Sequence, residues 1–177
     1  MANLGERMFR AAKLDANLYE EVEADKEALG QATAVVVLSS LAAGLGMGMR
    51  IGIGGIVIET LVALVVWYIW ALLTYWIGTK ILPEPQTESD VGELLRTLGF
   101  ASSPGVIRIL GVIPGLQGIV FLISSIWMLI AMVIAVRQAL DYRSTGRAIG
   151  VCAIGWFVQL VVFGILMGLV GGFSRPM

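Results

Sequence analysis

A single apolar run, residues 99–139, constrains the fold of this chain more than any other feature. The run holds one charge, Arg108, before it reaches Arg137 near its end. A bilayer core accepts about 20 apolar residues per helix, so the run is too long for one membrane crossing and suits two. Pro114 and Gly115 predict the turn between these crossings, because this dipeptide interrupts helices. The run therefore predicts a helical hairpin in a membrane.

The composition extends this prediction to the whole chain. Of the 177 residues, 58% are hydrophobic and 14% are charged, and the mean hydropathy is +0.87. Soluble domains usually carry about 25% charged residues, so a water-soluble globule could not cover this much apolar surface. The predicted fold class is an all-α integral membrane protein.

Five apolar segments predict five transmembrane helices. The spans lie at about residues 32–49, 56–78, 99–113, 116–137 and 148–170. The third span is predicted to be short and kinked, because Ser102, Ser103 and Pro104 interrupt it near its start and Pro114 ends it. The chain then divides into an N-terminal arm, residues 1–30, and a five-helix transmembrane domain, residues 31–177. Four crossings would result only if the third span were re-entrant.

The positions of lysine and arginine predict the orientation. With five spans and a cytoplasmic N-terminus, nine of these residues lie on the cytoplasmic side, and three, Arg50, Arg108 and Arg175, lie in the outer half. This excess agrees with the positive-inside rule. The first 28 residues are polar and lack the apolar core of a secretion signal, so the N-terminus is expected to stay in the cytoplasm. The predicted location is a prokaryotic inner membrane.

The N-terminal arm has an amphipathic pattern. Apolar residues recur every three or four positions over residues 3–28, which predicts one amphipathic helix. The apolar stripe consists of Leu4, Met8, Ala11, Leu14, Leu18 and Val22. Two interpretations stay open: the helix lies in the membrane interface, held by its basic first half, or it packs under the transmembrane bundle. In both cases the arm is the expected contact surface for a cytoplasmic protein partner.

Four polar residues fall at membrane depth, namely Glu59, Arg108, Gln117 and Gln159. An unpaired charge in a bilayer costs at least a few kcal/mol. Glu59 and Arg108 lie at similar predicted depth, so an ion pair between them is one hypothesis. The alternative is that each side chain snorkels separately to the outer surface. Helix-to-helix hydrogen bonds suit Gln117 and Gln159.

The break in the third span also has two interpretations. If Ser103 is an N-cap and Pro104 the first helical residue, free helical N–H groups would form an anion site, as in transporters with broken helices. If the serine hydroxyls satisfy the backbone instead, the break is only a kink.

Glycines recur at every fourth position in two spans. Gly44 and Gly48 form one such strip, and Gly164 and Gly168 form another. Small residues at this spacing let another helix approach closely, either within one protomer or between copies of the chain.

The residues absent from the sequence exclude several kinds of chemistry. There is no histidine, and the single cysteine, Cys152, lies in an apolar run and cannot form an intramolecular disulfide. No phosphate loop, metal-ligand spacing or paired carboxylate is present, so no catalytic residue, metal or cofactor is expected. A net charge of −1 also argues against nucleic acid as a partner.

Several short motifs together resemble the Yip1 domain family in its prokaryotic form. They are Gly99-Phe100-Ala101-Ser102-Ser103-Pro104, Pro114, Trp127, Val136-Arg137-Gln138-Ala139 and Ser144-Thr145-Gly146-Arg147-Ala148. The resemblance implies a five-helix membrane protein with a cytoplasmic N-terminus and no enzymatic activity. Eukaryotic members are associated with small GTPases. Their Asp-Leu-Tyr-Gly-Pro motif is absent here, where Asp90-Val91-Gly92 stands, so the resemblance does not extend to GTPase binding.

Two functions follow as hypotheses. The first is a non-enzymatic, self-associating membrane protein that organises a membrane or a partner complex. The alternative is an oligomeric channel or transporter with a polar route near Glu59, Arg108 and Gln117. The partners expected are the lipid bilayer, further copies of the chain and a cytoplasmic protein at the arm.

Overall fold

A computed structural model of the chain describes residues 3–48 and 52–173, without the side chains of residues 163, 164 and 166–173. All regular structure in this part of the chain is helical. In chain order the elements are α1 (Leu4–Ala12), α2 (Ala16–Ala24), α3 (Ala28–Gly46), α4 (Gly52–Trp76), a π-helical turn (Ile77–Ile81), α5 (Val91–Ala101), a 3₁₀ helix (Ser103–Val112), α6 (Gln117–Ala139) and α7 (Thr145–Phe173).

Four helices are long and apolar enough to cross a membrane. They are Ala28–Gly46, Gly52–Ile81, Gln117–Ala139 and Thr145–Val162. These helices correspond to the first, second, fourth and fifth predicted spans. The first, second and last begin three or four residues before the predicted boundaries. The protein is therefore an all-helical integral membrane protein.

The predicted third span is not one kinked α-helix. Helix α5 ends at Ala101, and the chain continues past Ser102 as a 3₁₀ helix to Val112. The predicted turn at Pro114 and Gly115 follows, where Gly115 has φ +85°. A 3₁₀ helix longer than 3–4 residues is uncommon, so tertiary contacts must hold this one.

A seam of small residues joins the 3₁₀ helix and α5 to α3. A Cβ added to Gly99 would lie 2.7 Å from the Ala32 Cβ, and one added to Gly111 would lie 2.8 Å from the Gly46 oxygen. The contacts follow three pairs in order, Ala32–Gly99, Ser39–Gly105 and Gly46–Gly111. The two segments therefore run in the same direction, side by side along most of α3.

The spacing of this seam explains the change of helix type. Gly105 and Gly111 are six residues apart, which is two full turns of a 3₁₀ helix but about 1.7 turns of an α-helix. In a 3₁₀ helix, residues spaced by three also lie on one face, which keeps both glycines against α3.

The arm forms two helices, which corrects the prediction of one. Asp15 accepts a hydrogen bond from the Asn17 N–H as N-cap of α2, and Leu14 turns the chain with φ 63°. The predicted apolar face is nevertheless the packed one. Ala11, Leu18 and Val22 are fully buried, and the other three stripe residues pack against the same core. The arm thus packs against α5, α6 and the 3₁₀ helix, and the end of the bundle where α3 begins is called the arm end.

Some predicted features fall outside the described residues. These are Arg50 and Arg175, which entered the charge count. Gly164 and Gly168 lie within α7, but their surroundings also fall outside the described part.

Replacing Gly46 by alanine should destabilise the protein. The new Cβ would collide with the backbone carbonyl of Arg108, which no side-chain rotation can relieve. We expect a loss of about 2 kcal/mol or more in unfolding free energy for Gly46→Ala. Denaturant unfolding in detergent micelles measures it.

Gly30→Ala in the same helix is the matched control, since an added Cβ there meets nothing within 4 Å. Alanine's higher helix propensity should leave this variant as stable as the native protein or up to about 1 kcal/mol more stable. Equal stability of the two variants would contradict the close contact of α3 with the 3₁₀ helix at Gly46.

Candidate functional sites

A polar cavity of about 280 Å³ lies among the membrane helices. It brings together three of the four predicted intramembrane polar residues, Glu59, Arg108 and Gln159. Helix α4 contributes Glu59, Trp67 and Trp70, which recur at helical spacing on one face. Described residues of α3, α5, α6, α7, the helix break and the 3₁₀ helix complete the wall.

Glu59 reaches this cavity because α3 and α4 approach closely at Gly44. A Cβ on Gly44 would lie 3.0 Å from Ile56 Cγ1 and 3.4 Å from the Glu59 Oε2. The Glu59 Oε2 is buried and has no hydrogen-bond partner. A carboxylate oxygen without a donor is costly at this depth, so the cavity holds an unmet demand for a hydrogen-bond donor.

Arg108 does not satisfy that demand. Its Nε donates to the Ser124 Oγ at 2.9 Å and its Nη2 to the Ser125 Oγ at 3.3 Å, and the guanidinium lies 5.6 Å from the centre of the Phe121 ring. The ion pairs within the described residues do not include Glu59 with Arg108. The direct ion pair hypothesised from the sequence is therefore wrong here, since Arg108 extends from the 3₁₀ helix towards α6.

The two glutamines lie in different places. Gln117 begins α6 and lines a separate cavity of about 360 Å³ beside Gly48 and Pro114, at the end of the bundle opposite the arm. Gln159 is exposed on α7 at the rim of the polar cavity. Glu59, Arg108 and Gln117 thus do not line one continuous cavity.

The helix break has its backbone satisfied by serine hydroxyls. Pro104 has no N–H, and the Ser103 Oγ donates to the Phe100 oxygen at 2.7 Å in place of the missing donor. The Ser102 Oγ donates to the Leu98 oxygen at 3.4 Å. Ser102, not Ser103, holds the N-cap position, and its side chain makes no cap hydrogen bond. The Ser102 N–H donates to the Gly99 oxygen at 3.1 Å and the Gly105 N–H to the Ser102 oxygen at 2.9 Å, so these two groups are not free to bind an anion. The geometry is that of a kink.

The first glycine strip is used within the chain. Gly44 faces α4, as described above, whereas Gly48 lies beyond the last turn of α3 with φ +72° and its N–H donates to the Leu45 oxygen at 2.8 Å. Gly48 therefore lies at the end of α3 and does not form a packing strip with Gly44, as the sequence had predicted.

Two functional candidates were missed from the sequence. Trp67 and Trp70 line the polar cavity, and the indole N–H of each is buried without a hydrogen-bond partner. Their helical spacing from Glu59 was the available signal.

A network of ion pairs holds the arm together. Arg7 is only 6% exposed, and its Nη2 lies 2.7 Å from the Asp25 carboxylate and 2.9 Å from that of Glu21. Arg10 pairs with Asp15 at 2.8 Å and with Glu21 at 2.6 Å. The hydrogen bond from Arg7 lowers the pKa of Asp25, and that from Arg10 lowers the pKa of Glu21. The network therefore fixes α1 against α2.

Hydrogen bonds from the bundle fix the arm in turn. The Trp127 indole N–H donates to the Ala12 oxygen at 2.8 Å, at the end of α1. Arg96 is 6% exposed and donates from Nε to the Val22 oxygen at 2.9 Å. Both donors belong to α5 or α6, so the arm is a fixed part of the fold.

The two loops at the arm end are also joined. The Glu84 carboxylate accepts from the Arg143 N–H at 3.1 Å and lies 3.4 Å from the Arg147 Nε. The Tyr142 hydroxyl lies within hydrogen-bond distance of the Gly78 and Leu82 oxygens, at 2.9 and 2.8 Å. The arm and these loops, residues 82–90 and 140–144, form one surface, which we call the platform.

One carboxyl in the arm lacks a partner. The Glu23 Oε2 is buried without a hydrogen bond. Burial raises the pKa of Glu23 to about 8, and the nearby carboxylates of Glu93, Asp141 and Glu20 add to the rise, while Arg96 opposes it. The folded arm thus favours the protonated form of Glu23.

Glu23→Gln should stabilise the protein in a pH-dependent way. The unfolded chain loses the Glu23 proton near pH 4.5, whereas the folded protein keeps it to about pH 8, so this residue lowers stability as pH rises through that window. We expect a gain of roughly 2–4 °C in melting temperature at pH 8.5 and none at pH 4.5. Glu88→Gln, on an exposed loop position, is the control. A gain that is independent of pH would contradict the role of ionisation.

Within the described residues, no cluster of three or more histidine, cysteine, aspartate or glutamate side chains is arranged to hold a metal ion.

Comparison with known proteins gave one family match, in which the model of the Yip1 domain aligns with residues 16–166. No curated protein and no solved structure matches the chain. The aligned region contains α2, the helix break, the hairpin and all four candidate spans. This protein therefore belongs to the Yip1 domain family.

Proposed function

We propose that this protein is a non-enzymatic, five-span membrane protein that organises a complex at the cytoplasmic face of an inner membrane. The platform is its contact surface, and the partner is a further copy of the chain or a cytoplasmic protein. The observation that carries the proposal is the fixed arm, held by the Arg7 network and by Trp127. A preorganised surface loses less entropy on binding than a flexible tail does.

The seam with α3 supports the interpretation that the third predicted span also crosses the membrane, which makes five crossings. From Gly99 to Gly111 the chain keeps contact with α3 from Ala32 to Gly46, in the same direction. Because α3 is long enough to span a bilayer, a segment that follows it over this length covers most of the same depth. Five crossings with a cytoplasmic N-terminus also agree with the lysine and arginine count.

Polar side chains on the exposed part of the arm support a contact surface in water. Lys13, Asn17, Lys26 and Glu27 are all exposed. Asn17 belongs to α2, whereas Lys13 follows α1 and Lys26 and Glu27 lie between α2 and α3. An interface helix would present several large apolar side chains outward to lipid, whereas Phe9 is the one that α1 and α2 expose in this way.

Site-specific photocrosslinking tests the platform. A photoreactive benzoylphenylalanine placed at Lys13, Asn17 or Glu27 should give a discrete adduct in native membranes, because a partner seated on the arm lies within reach. Mass spectrometry distinguishes an adduct of two chains from an adduct with another protein. The control is the same group at Val112, which is 61% exposed at the end of the bundle opposite the platform. Adducts with lipid alone at all three arm positions would overturn the proposal.

A channel or transporter is the second candidate, and the polar cavity with an unpaired Glu59 favours it. Against it, Gln117 lies in a different cavity from Glu59. We expect liposomes containing the protein to show no ion flux above that of empty liposomes in a fluorescence assay. Reproducible flux that Glu59→Gln reduces at least about tenfold, and Glu88→Gln does not, would favour transport over the proposed role.

A further inference from the structure

We infer that the polar cavity binds the headgroup of an aminophospholipid, with the lipid ammonium donating to Glu59. This inference goes beyond the proposed function, and its failure would not affect the proposal that the platform binds a partner. Of the five buried side-chain atoms without a partner in the described residues, three belong to residues that line this cavity, namely Glu59, Trp67 and Trp70.

These three atoms define what the ligand must offer. The Glu59 Oε2 needs a hydrogen-bond donor, and the indole N–H groups of Trp67 and Trp70 each need an acceptor. Buried polar groups in proteins are nearly always satisfied, so three unsatisfied ones around one cavity indicate a missing polar molecule. The ligand must therefore carry a donor at one end and acceptors at the other.

A primary ammonium suits the donor end. It neutralises the carboxylate and supplies N–H groups, whereas a quaternary ammonium supplies none. The indole rings of Trp67, Trp70 and Trp156 also line the cavity, and aromatic faces attract cations. The guanidinium of Arg108 also lines the cavity but donates to Ser124 and Ser125, which leaves the Glu59 Oε2 without a hydrogen bond.

Phosphate and ester oxygens suit the acceptor end. Along α4, Trp67 and Trp70 lie about 12 and 16 Å from Glu59 at the helical rise. Glu59 is nearer the end of the bundle opposite the arm, where α3 ends, and the two tryptophans lie deeper. A lipid whose ammonium lies at Glu59 carries its phosphate and ester oxygens towards Trp67, the nearer of the two tryptophans.

A neighbouring apolar cavity offers a place for an acyl chain. It has a volume of about 290 Å³, lies between α4 and α7, and shares Val66, Trp70 and Gln159 with the polar cavity. Ile69 and Val162 of this second cavity are exposed on the outside of the bundle. A lipid thus has an opening between α4 and α7, through which its headgroup enters and its chain stays among apolar side chains.

Native mass spectrometry of the full-length protein tests the inference. The protein is released from micelles after incubation with equal amounts of phosphatidylethanolamine and phosphatidylcholine that have the same acyl chains. We expect the native protein to retain the ethanolamine lipid about tenfold more than the choline lipid, because only the former donates to Glu59. Glu59→Gln should bring the ratio near one, and the Glu88→Gln control should leave it unchanged.

Tryptophan variants test the acceptor end. Trp67→Phe with Trp70→Phe keeps aromatic rings but removes both N–H groups, so retention of both lipids should fall several-fold. Trp76→Phe, at a position 64% exposed at the end of α4, is the control. Unchanged melting temperatures ensure that each variant is folded.

Three outcomes would overturn the inference. Equal retention of the two lipids by the native protein would remove the role of the ammonium. A lipid preference that survives Glu59→Gln would place the headgroup elsewhere. Glu59-dependent binding of free phosphoethanolamine, with no retained lipid, would show that the ligand is a soluble amine and not a membrane lipid.

Discussion

The close contact of α3 with α5 and the 3₁₀ helix is the constraint on which the rest of the structure depends. At Gly46 the two backbones approach so closely that no side chain fits between them. Lipid offers little hydrophobic driving force between helices, so packing of this kind is a main source of cohesion in a membrane bundle. By holding the 3₁₀ helix, the seam also sets where Arg108 leaves the backbone and reaches the serines of α6.

The arm end and the polar cavity between the membrane helices differ in how most of their polar groups are satisfied. At the arm end, arginines meet carboxylates and backbone oxygens, as in the contacts of Arg7 and Arg96, and the resulting platform is fixed. Between the membrane helices, Glu59 and two indole N–H groups stay unsatisfied around one cavity. The arm also holds two buried polar atoms without a partner, the Tyr19 hydroxyl and the Glu23 Oε2, but these do not share a cavity with the other three. Unmet hydrogen bonds are costly in a low dielectric, so the three around one cavity are the ones that a single ligand could satisfy.

The predictions from sequence succeeded where a local signal acts alone. Pro114 and Gly115 were placed correctly as a turn, and the apolar stripe of the arm is the buried face. They failed where two local signals compete. Asp15 caps a new helix within the stripe, so the continuous periodicity predicted one helix where two form. The pairing of Glu59 with Arg108 was likewise inferred from depth, which does not specify the direction in which a side chain extends.

By itself the sequence determined that the chain is a helical membrane protein, where most spans lie, where the third one breaks and which family motifs it carries. These features depend on hydropathy, proline and glycine, whose effects act within one or two turns of chain. Only the tertiary structure decided that the third segment is a 3₁₀ helix, that Arg108 binds serines, and that Glu59 shares a cavity with Trp67 and Trp70. These features depend on which helix faces meet, because the partners come from segments far apart in the chain.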